Sequence, residues 1–354
     1  MNDWLQYLTL QGAQLQGDAL NSATDFGQAP AISQIRNGFV SPLTELGLIA
    51  ADGPEAAHFL HSQLSNDVQH LNGSVAQLAG YCTAKGRLLA TFLMWRSGET
   101  IFLQLPSELQ TSIQKRLQMY VMRAKLKLSS ADGQFVSLGL GGEAAGAALG
   151  NWFPILPAAP YAQVESQSGT LIRLADAFGA ARYQWVTTIA TAQLVWPQLT
   201  ALLTPVAEAV WRLGNIHAGI PQVTLLTQEK FVPQMVNFEL IGGVNFKKGC
   251  YPGQEIVARS QYLGKLKRRT LLASIAVSKL SVQAGDAVFS SNDPDQPCGT
   301  IVNAELNLDG GIDCLVEIKL ASLAEGSVHL GSANGPSLAF GDLPYALPSD
   351  DAGT

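Results

Sequence analysis

One short segment concentrates the side chains that could do chemistry. Residues 247–255 read Lys-Lys-Gly-Cys-Tyr-Pro-Gly-Gln-Glu, which places a thiol among two cations, an amide and a carboxylate. A thiolate is a nucleophile, a redox group and a metal ligand, and nearby cations favour it over the thiol. We therefore predict that Cys250 is a functional thiol. Its candidate partners in the segment are Lys248, Tyr251, Gln254 and Glu255.

The residues around this cysteine predict a loop followed by a helix. No apolar period runs through the segment, and Gly249, Pro252 and Gly253 favour a bent backbone. Residues 254–259 look like the first turns of a helix, whose dipole would also favour a thiolate. In this interpretation Tyr251 and Gln254 shape the loop, and the Glu255 carboxylate opposes the effect of the lysines. A buried, inert cysteine is the alternative, although Gly-Cys-Tyr-Pro-Gly is a poor core element.

A second candidate is Trp211, in a helix predicted over residues 206–218. It shares a stripe of that helix with the small residues Ala207, Gly214 and Ala218, which leaves space beside the indole ring. Two interpretations are open: the ring fills the core, or it forms a stacking wall for a planar ligand.

Positive charge is concentrated between residues 247 and 269. In a chain of net charge −6 this stretch holds seven basic residues and one acid, Glu255. The basic residues are Lys247, Lys248, Arg259, Lys265, Lys267, Arg268 and Arg269. The stretch is either a solvated linker or a surface that attracts an anion, such as a polycarboxylate ligand or an RNA backbone.

Composition sets limits on the class of protein. The 354 residues are 47% hydrophobic and 14% charged, which is typical of a globular protein with two or three domains. The four cysteines form no C-x-x-C pair, and Cys298 and Cys314 are expected to be small buried residues. No His/Cys cluster has metal-ligand spacing, so we predict no metal site. The absence of a secretory signal pattern and of any apolar run near 18 residues predicts a cytoplasmic protein that does not enter a membrane.

The pattern of elements predicts an α+β body followed by a β region. Residues 45–203 alternate strands with helices, without the regular rhythm of a parallel α/β domain. Leu60, Leu64, Val68 and Leu71 follow helical steps, which predicts one helix through all four. From residue 271 to residue 345, short β-prone runs between Gly, Asn, Asp and Pro clusters indicate a small barrel or sandwich.

The string Lys-Gly-Cys-Tyr-Pro-Gly-Gln-Glu at residues 248–255 resembles the signature of the YgfZ family of folate-binding proteins. These are relatives of the T-protein, the aminomethyltransferase of the glycine cleavage system. Further blocks agree with this resemblance: Phe-Leu-His-Ser-Gln-Leu-Ser-Asn-Asp-Val at 59–68, Ala-Lys-Gly-Arg at 84–87 and Phe-Val-Pro-Gln at 231–234. The likeness spans about residues 40–345.

The resemblance implies a T-protein-like ring. Two α+β lobes, one of them ferredoxin-like, would surround a central hole, and a small C-terminal β-barrel would close the ring. The body would occupy residues 1–262, with the boundary between its lobes near residues 130–140. The barrel would occupy residues 271–345.

The resemblance also implies a ligand and a cellular role. Tetrahydrofolate or a derivative would lie in the body, and Trp211 matches a tryptophan of the family's folate site. The family is linked to iron–sulfur enzymes and to tRNA modification, with chemistry that depends on the cysteine here numbered Cys250. Three positions depart from the pattern: Leu46 aligns near a second folate tryptophan, His217 replaces a glutamate, and Thr83 replaces an aspartate. Without the aspartate at position 83, T-protein-style aminomethyl transfer is disfavoured.

Three functions remain open from the sequence. The first is a folate-binding accessory protein for iron–sulfur enzymes such as tRNA-modifying enzymes, with Cys250 as its redox or ligand thiol and with catalysis of its own disfavoured but left open. The second is a tetrahydrofolate-dependent one-carbon transferase, for which Glu255 and His217 are the only nearby acid–base candidates. The third is a module that binds tRNA, or a tRNA-modifying enzyme, through residues 247–269.

Overall fold

The computed structural model describes residues 3–16, 22–27, 30–262, 266–276, 281–324 and 326–348. The helices are α1 (Asp3–Leu10), α2 (Ile32–Asn37), α3 (Ala56–Gln63), α4 (Ser107–Val121), α5 (Ala145–Leu149), α6 (Ile189–Thr200), α7 (Glu208–His217), α8 (Gln254–Tyr262) and α9 (Ala321–Ala324), with a 3₁₀ turn at Pro233–Val236.

The strands divide over four sheets. They are β1 (Gln14–Gln16), β2 (Ser22–Asp25), β3 (Phe39–Pro42), β4 (Leu46–Asp52), β5 (Gln77–Cys82), β6 (Leu88–Ser97), β7 (Thr100–Pro106), β8 (Lys127–Ser130), β9 (Phe135–Gly141), β10 (Gln163–Ser166), β11 (Gly169–Ala177), β12 (Ala180–Thr188), β13 (Thr204–Pro205), β14 (Arg268–Ile275), β15 (Ala287–Ser290), β16 (Asp293–Leu306), β17 (Ile312–Lys319), β18 (Val328–Leu330) and β19 (Ala339–Gly341).

The chain forms two compact units, each assembled from separate segments. The first unit comprises Met1–Phe59, Gln69–Gln77 and Leu93–Gly214. The second unit comprises Leu60–Val68, Leu78–Phe92 and Asn215–Thr354. Strand β6 and helix α7 therefore each contribute residues to both units.

The first unit is built on a six-stranded sheet in the order β10-β11-β12-β9-β3-β13. Its pairs are antiparallel except for the short parallel contact of β13 with β3. Trp185 on β12 and Trp196 on α6 are buried in one apolar core with residues of α1 and α5. Strands β7, β4 and β8 pair antiparallel beside the second half of β6. This mixture of antiparallel sheets and helices is the predicted α+β pattern.

The second unit contains the predicted C-terminal β region. Its six-stranded antiparallel sheet has the order β18-β15-β16-β17-β14-β19 and curls into a half-barrel. Cys298 and Cys314 are buried in its core, as expected. Residues 215–262 fall in the same compact unit as this sheet. The division into a body of residues 1–262 and a barrel of residues 271–345 stays a prediction.

Helix α3 ends earlier than its apolar stripe predicts. It stops at Gln63, although Leu64, Val68 and Leu71 are all buried. Ser65, two residues after the end of α3, donates its N–H to the Gly80 carbonyl (2.8 Å) instead of continuing the helix, and its Oγ donates to the Gly243 carbonyl (2.6 Å). Contacts with residues distant in sequence therefore override the helical period. In the described part of the chain, no helix is long and apolar enough to cross a membrane.

Candidate functional site

Cys250 is the exposed cysteine of the chain. The other three cysteines, Cys82, Cys298 and Cys314, are buried. Burial raises the pKa of the Cys82 thiol and of the Cys314 thiol to about 12, which keeps both protonated. Cys250 lies on a loop four residues before α8 begins at Gln254, so its position is the one predicted. The role of its thiol stays a prediction.

The Lys248 side chain anchors the cysteine loop to the end of α3. It is buried, and Nζ donates to the carbonyl of Leu64 (2.8 Å) and to that of His61. These carbonyls lie at the C-terminal end of α3, where a cation is favoured by the helix dipole. Burial lowers the pKa of Lys248 to about 8, while Asp67 and Cys250 raise it. Lys248 thus anchors the loop as well as placing charge near the thiol.

Tyr251 is a second anchor. Its ring is buried and carries the Lys248 ammonium 4.7 Å from the ring centroid, in cation–π geometry. Burial raises the pKa of its hydroxyl, and Cys82 adds to the effect. Among the described residues the buried hydroxyl has no hydrogen-bond partner. Tyr251 therefore shapes the loop, as predicted, from inside the protein.

The loop packs directly on another of the sequence motifs, the turn that joins β5 to β6. Gly253 has φ +81°, and a Cβ there would lie 2.3 Å from the Thr83 carbonyl oxygen and 2.7 Å from Gly86 Cα. Gly86 has φ +70°, and its own Cβ would lie 3.3 Å from the Gly253 carbonyl oxygen. Only glycine allows both the left-handed backbone and this close approach. Thr83 Oγ1 accepts a hydrogen bond from the backbone N–H of Arg87 (3.2 Å). The Thr83 side chain therefore stabilises this turn.

The remaining predicted residues of the loop differ in environment. Gln254 is half-buried, and its Nε2 lies 3.5 Å from the Lys248 carbonyl oxygen. Glu255 is exposed in the first turn of α8, where a carboxylate suits the helix dipole. The upstream motif supports the helix, because Gln234 Nε2 donates to the Val257 carbonyl (2.7 Å).

Two residues near the loop were not predicted as site residues. His61 Nδ1 lies 3.1 Å from Asp67 Oδ1, and both side chains are largely shielded from solvent. A Cβ on Gly249 would lie 3.5 Å from His61 Nε2, so the imidazole edge borders the backbone next to Cys250. Both residues stand in the block at 59–68. The block signalled family resemblance, but its spacing gave no hint that this pair would meet the cysteine loop.

Trp211, in the first unit, has no open ring face. The indole is only 2% exposed, and the Arg182 guanidinium lies 4.8 Å from its centroid. A Cβ on Gly139 would lie 2.5 Å from Trp211 Cε3, so the ring also packs on the backbone of β9. The space predicted beside the indole is filled by the protein itself. Its role as a folate contact stays a prediction.

Helix α7 also carries a buried acid that the sequence did not single out. Glu208 accepts a hydrogen bond from the backbone N–H of Glu45 (2.7 Å), and Glu45 pairs with Arg212. Burial raises the pKa of Glu208 to about 8, and the Glu45 carboxylate adds to this shift. This shift favours the protonated form of Glu208 at neutral pH.

His217, the residue that departs from the family's glutamate, is engaged within the second unit. Its Nε2 lies 2.7 Å from Asp313 Oδ2, and Asp313 Oδ1 accepts from Ser274 Oγ (2.7 Å) and Asn307 Nδ2 (2.9 Å). Burial raises the pKa of Asp313, but the hydrogen bonds from His217, Asn307 and Ser274 outweigh it and lower the pKa overall. His217 thus ties α7 to β17.

Much of the basic stretch at residues 247–269 is used inside the protein. Arg268 makes a two-point ion pair with Glu317, and Arg269 pairs with Glu239 in a buried site. Lys265 lies outside the described residues. The exposed cations of the stretch are Lys247, Arg259 and Lys267. Among the described residues, no three His, Cys, Asp or Glu side chains group as metal ligands.

Comparisons with known proteins agree with this architecture. No protein-family model matches the chain. The tRNA-modifying protein YgfZ of Photorhabdus laumondii is 31% identical over 309 residues, which cover 86% of this chain and 92% of the relative. The tRNA-modifying protein YgfZ of Serratia proteamaculans is 28% identical over 309 residues, covering 87% and 92%.

A solved structure shares the whole fold. The glycine cleavage system aminomethyltransferase T from Bartonella henselae superposes with a TM-score of 0.79 at 17% identity, covering 97% of each chain. This confirms the predicted T-protein-like fold class. The sequence likeness and the shared fold lead to one conclusion: this chain belongs to the YgfZ family.

Proposed function

We propose that this protein supports tRNA modification through the exposed thiol of Cys250, as an accessory protein for iron–sulfur enzymes that modify tRNA. The observation that carries the proposal is the exposure of the Cys250 thiol on an anchored loop. An exposed thiol stands on a loop that is anchored by Lys248 and by the Gly253–Gly86 contact. Its relatives are named tRNA-modifying proteins.

An exposed thiol on a fixed backbone favours contact with a partner molecule. A cysteine needed only for packing would be buried, as the other three are. The buried Lys248 and the close Gly253–Gly86 contact fix the backbone on both sides of Cys250, while its side chain is left accessible. A rigid backbone under an exposed reactive group limits the entropy that is lost when a partner docks.

Folate enters the proposal through the family and the fold, and not through the residues around Trp211. A pterin stacked on this indole would need a ring face, and Arg182 and Gly139 cover the ring. These residues do not fit a stacked pterin as they stand. Tetrahydrofolate binding therefore stays a separate prediction, and no step of the proposed function passes through it.

The two other functions have less support from the described geometry. A one-carbon transferase needs an acid or base, but His217 is held by Asp313 and Glu255 stands exposed in a helix turn. An RNA contact through residues 247–269 would rely on the exposed Lys247, Arg259 and Lys267, because the arginines of β14 are paired internally. Both stay predictions.

The test replaces the thiol in living cells. In cells that lack the protein, we expect Cys250→Ser to leave the tRNA nucleoside modifications and the iron–sulfur enzyme activities at the level of the deletion. The matched control is Cys298→Ala, which removes a buried thiol from the C-terminal sheet and should restore both. Mass spectrometry of tRNA nucleosides and assays of the client enzymes provide the measurements.

The proposal fails if Cys250→Ser restores both readouts as well as the wild-type protein does. Circular dichroism and expression level must be equal for the two variants, so that loss of folding does not imitate loss of the thiol. If Cys250→Ser restored the iron–sulfur enzyme activities but not the tRNA modifications, that result would contradict the accessory role.

A further inference from the structure

We propose that the C-terminal part of α4 and the turn after it form a surface that binds RNA, with phosphates held by its cations and an unpaired base stacked on Tyr120. We call it the α4 surface, and it comprises Lys115, Arg116, Met119, Tyr120, Arg123 and Lys125. It lies in the first unit and takes no residue from the stretch at 247–269. The inference goes beyond the proposed function, because it concerns a surface that does not include Cys250.

The charge of this part of the chain has one sign. Residues 109–131 contain five basic residues and no acid, although the whole chain has a net charge of −6. The basic residues are Lys115, Arg116, Arg123, Lys125 and Lys127. Positive charge that is concentrated on one part of an acidic protein attracts a polyanion to that part and not to the whole surface.

The cations of the α4 surface are available to a partner. Lys115, Arg123 and Lys125 are exposed, and Arg116 is half-buried. None of these four side chains forms an ion pair or a hydrogen bond with another described residue. One acid reaches the turn, because the Glu55 carboxylate accepts the backbone N–H of Lys125. Four cations beside one carboxylate leave an excess of positive charge.

The fifth cation of the stretch is left out of the surface for a structural reason. Lys127 lies on β8 and pairs in register with Asp52 on β4. Opposite charges that face each other across two strands interact with one another. Lys127 is therefore less available to a partner than the cations of the α4 surface.

Large apolar side chains are exposed beside these cations. Met119 is 70% exposed, Tyr120 is 51% exposed and Met122 is 88% exposed. The buried apolar face of α4 is made of other residues, namely Leu109, Ile113, Leu117 and Val121. An exposed aromatic ring among cations suits single-stranded RNA, since a base stacks on the ring while the cations hold the phosphates.

Helical spacing places a cation one turn before each of two exposed side chains. Lys115 precedes Met119 by four residues, and Arg116 precedes Tyr120 by four residues. Residues at this spacing are neighbours on the helix surface, with Cβ atoms about 5–6 Å apart. Tyr120 therefore has a guanidinium within one turn of its ring.

The turn after α4 carries the other two cations. The helix ends at Val121, and Met122, with φ +44°, leaves the helical conformation. Arg123 and Lys125 follow. The last turn of α4 itself contains no basic residue, so stabilisation of the helix dipole does not explain the two cations that precede that turn.

RNA fits this surface better than a lipid membrane does. A helix that lies in a membrane surface presents a continuous apolar face to the lipid. In α4 that face is buried inside the protein. The bases of tRNA loops are unpaired and can stack on an aromatic ring, and tRNA is the RNA that the proposed function concerns.

The experiment measures the binding of labelled bulk tRNA to the purified full-length protein by fluorescence anisotropy, at several salt concentrations between about 50 and 200 mM. The test variant combines Lys115→Gln, Arg123→Gln and Lys125→Gln. Each phosphate contact to a single strand adds about 0.7 to the slope of log affinity against log salt, so the slope should fall by about 2. At about 0.1 M salt, the same relation predicts binding that is roughly tenfold to 100-fold weaker.

The matched control removes the same charge from the stretch at 247–269. It combines Lys247→Gln, Arg259→Gln and Lys267→Gln, which are again two exposed lysines and one exposed arginine. We expect this control to bind tRNA as the wild-type protein does. The control thereby also tests the alternative RNA contact through residues 247–269.

A second pair of variants tests the stacked base. Tyr120→Ala should weaken binding about tenfold, as the loss of one stacked base does. It should leave the salt slope unchanged, because no charge is removed. Tyr262→Ala is the control, since Tyr262 is also an exposed tyrosine (70%), and it should bind as the wild-type protein does.

Four results would overturn the inference. They are no binding of tRNA by the wild-type protein at about 50 mM salt, an equal or greater loss of affinity in the 247–269 control, undiminished affinity in Tyr120→Ala, and binding of anionic lipid vesicles, but not of tRNA, that the α4 triple variant loses. Circular dichroism must show that all variants are folded. Cys250→Ser should bind tRNA like the wild-type protein, so the RNA surface and the role of the thiol can fail independently.

Discussion

The substitution Gly253→Ala tests whether the cysteine loop depends on its contact with the β5–β6 turn. The new Cβ would lie 2.3 Å from the Thr83 carbonyl oxygen and 2.7 Å from Gly86 N and Cα. All three are backbone atoms, which cannot yield by a rotamer change. In addition, φ is +81°, and an L-residue with this backbone costs about 1–2 kcal/mol. Overpacking adds about 1–3 kcal/mol, so we expect a loss of about 2–5 kcal/mol in the free energy of unfolding.

Urea denaturation followed by circular dichroism measures this loss. Gly249→Ala is the matched control in the same loop, because its Cβ would meet no atom closer than 3.5 Å. It should leave stability unchanged or raise it by up to about 1 kcal/mol, through the lower entropy of the unfolded chain. If Gly253→Ala is as stable as Gly249→Ala, the proposed dependence of the loop on this contact is wrong.

Two further predictions concern buried carboxyl groups. Burial raises the pKa of Glu208 in the folded protein to about 8, from an ordinary value of 4.5. The folded state therefore binds this proton more tightly than the unfolded state, so the free energy of unfolding should fall as pH rises from 4.5 to about 8, by up to about 1.4 kcal/mol per pH unit. Glu208→Gln, which keeps an acceptor for Glu45 N–H, should flatten that slope in urea titrations across this range, and a parallel slope would contradict the assignment. The pKa of Asp313 is lowered in the fold, so its stabilisation is present at neutral pH and is lost as pH falls through the folded pKa. Asp313→Asn should cost about 1–3 kcal/mol at neutral pH and less in acid; an equal cost at both pH values would argue against the network with His217.

The sequence predicted local features well. The Gly-Pro-Gly composition placed Cys250 on a loop before a helix, and α8 begins at Gln254 as expected. The short β-prone runs after residue 271 correspond to strands of the curled sheet. Each of these signals is contained within a few consecutive residues.

What the sequence did not predict depends on partners far away in the chain. Lys248 was interpreted through its neighbour Cys250, yet its hydrogen-bond acceptors lie more than 180 residues away, at His61 and Leu64. The same holds for His217, whose partner Asp313 is 96 residues distant. The residues of its own helix predicted space beside Trp211. Arg182, which covers the ring, lies on β12, and the helix sequence does not report that neighbour. Neither periodicity nor spacing reports such pairings.

The way the chain is shared between the two units has a consequence for its synthesis. The second unit needs residues 60–68 and 78–92 together with everything after residue 215. On the ribosome, the segment that carries His61 is made long before the loop that carries Cys250. More than 120 residues are synthesised between residue 92 and the rest of the second unit. During that time, apolar residues of the early segments, such as Leu64 and Leu88, lack the neighbours that bury them in the folded protein. A fragment that ends at residue 214 would keep those segments permanently in that waiting state, and it is a natural target for chaperones.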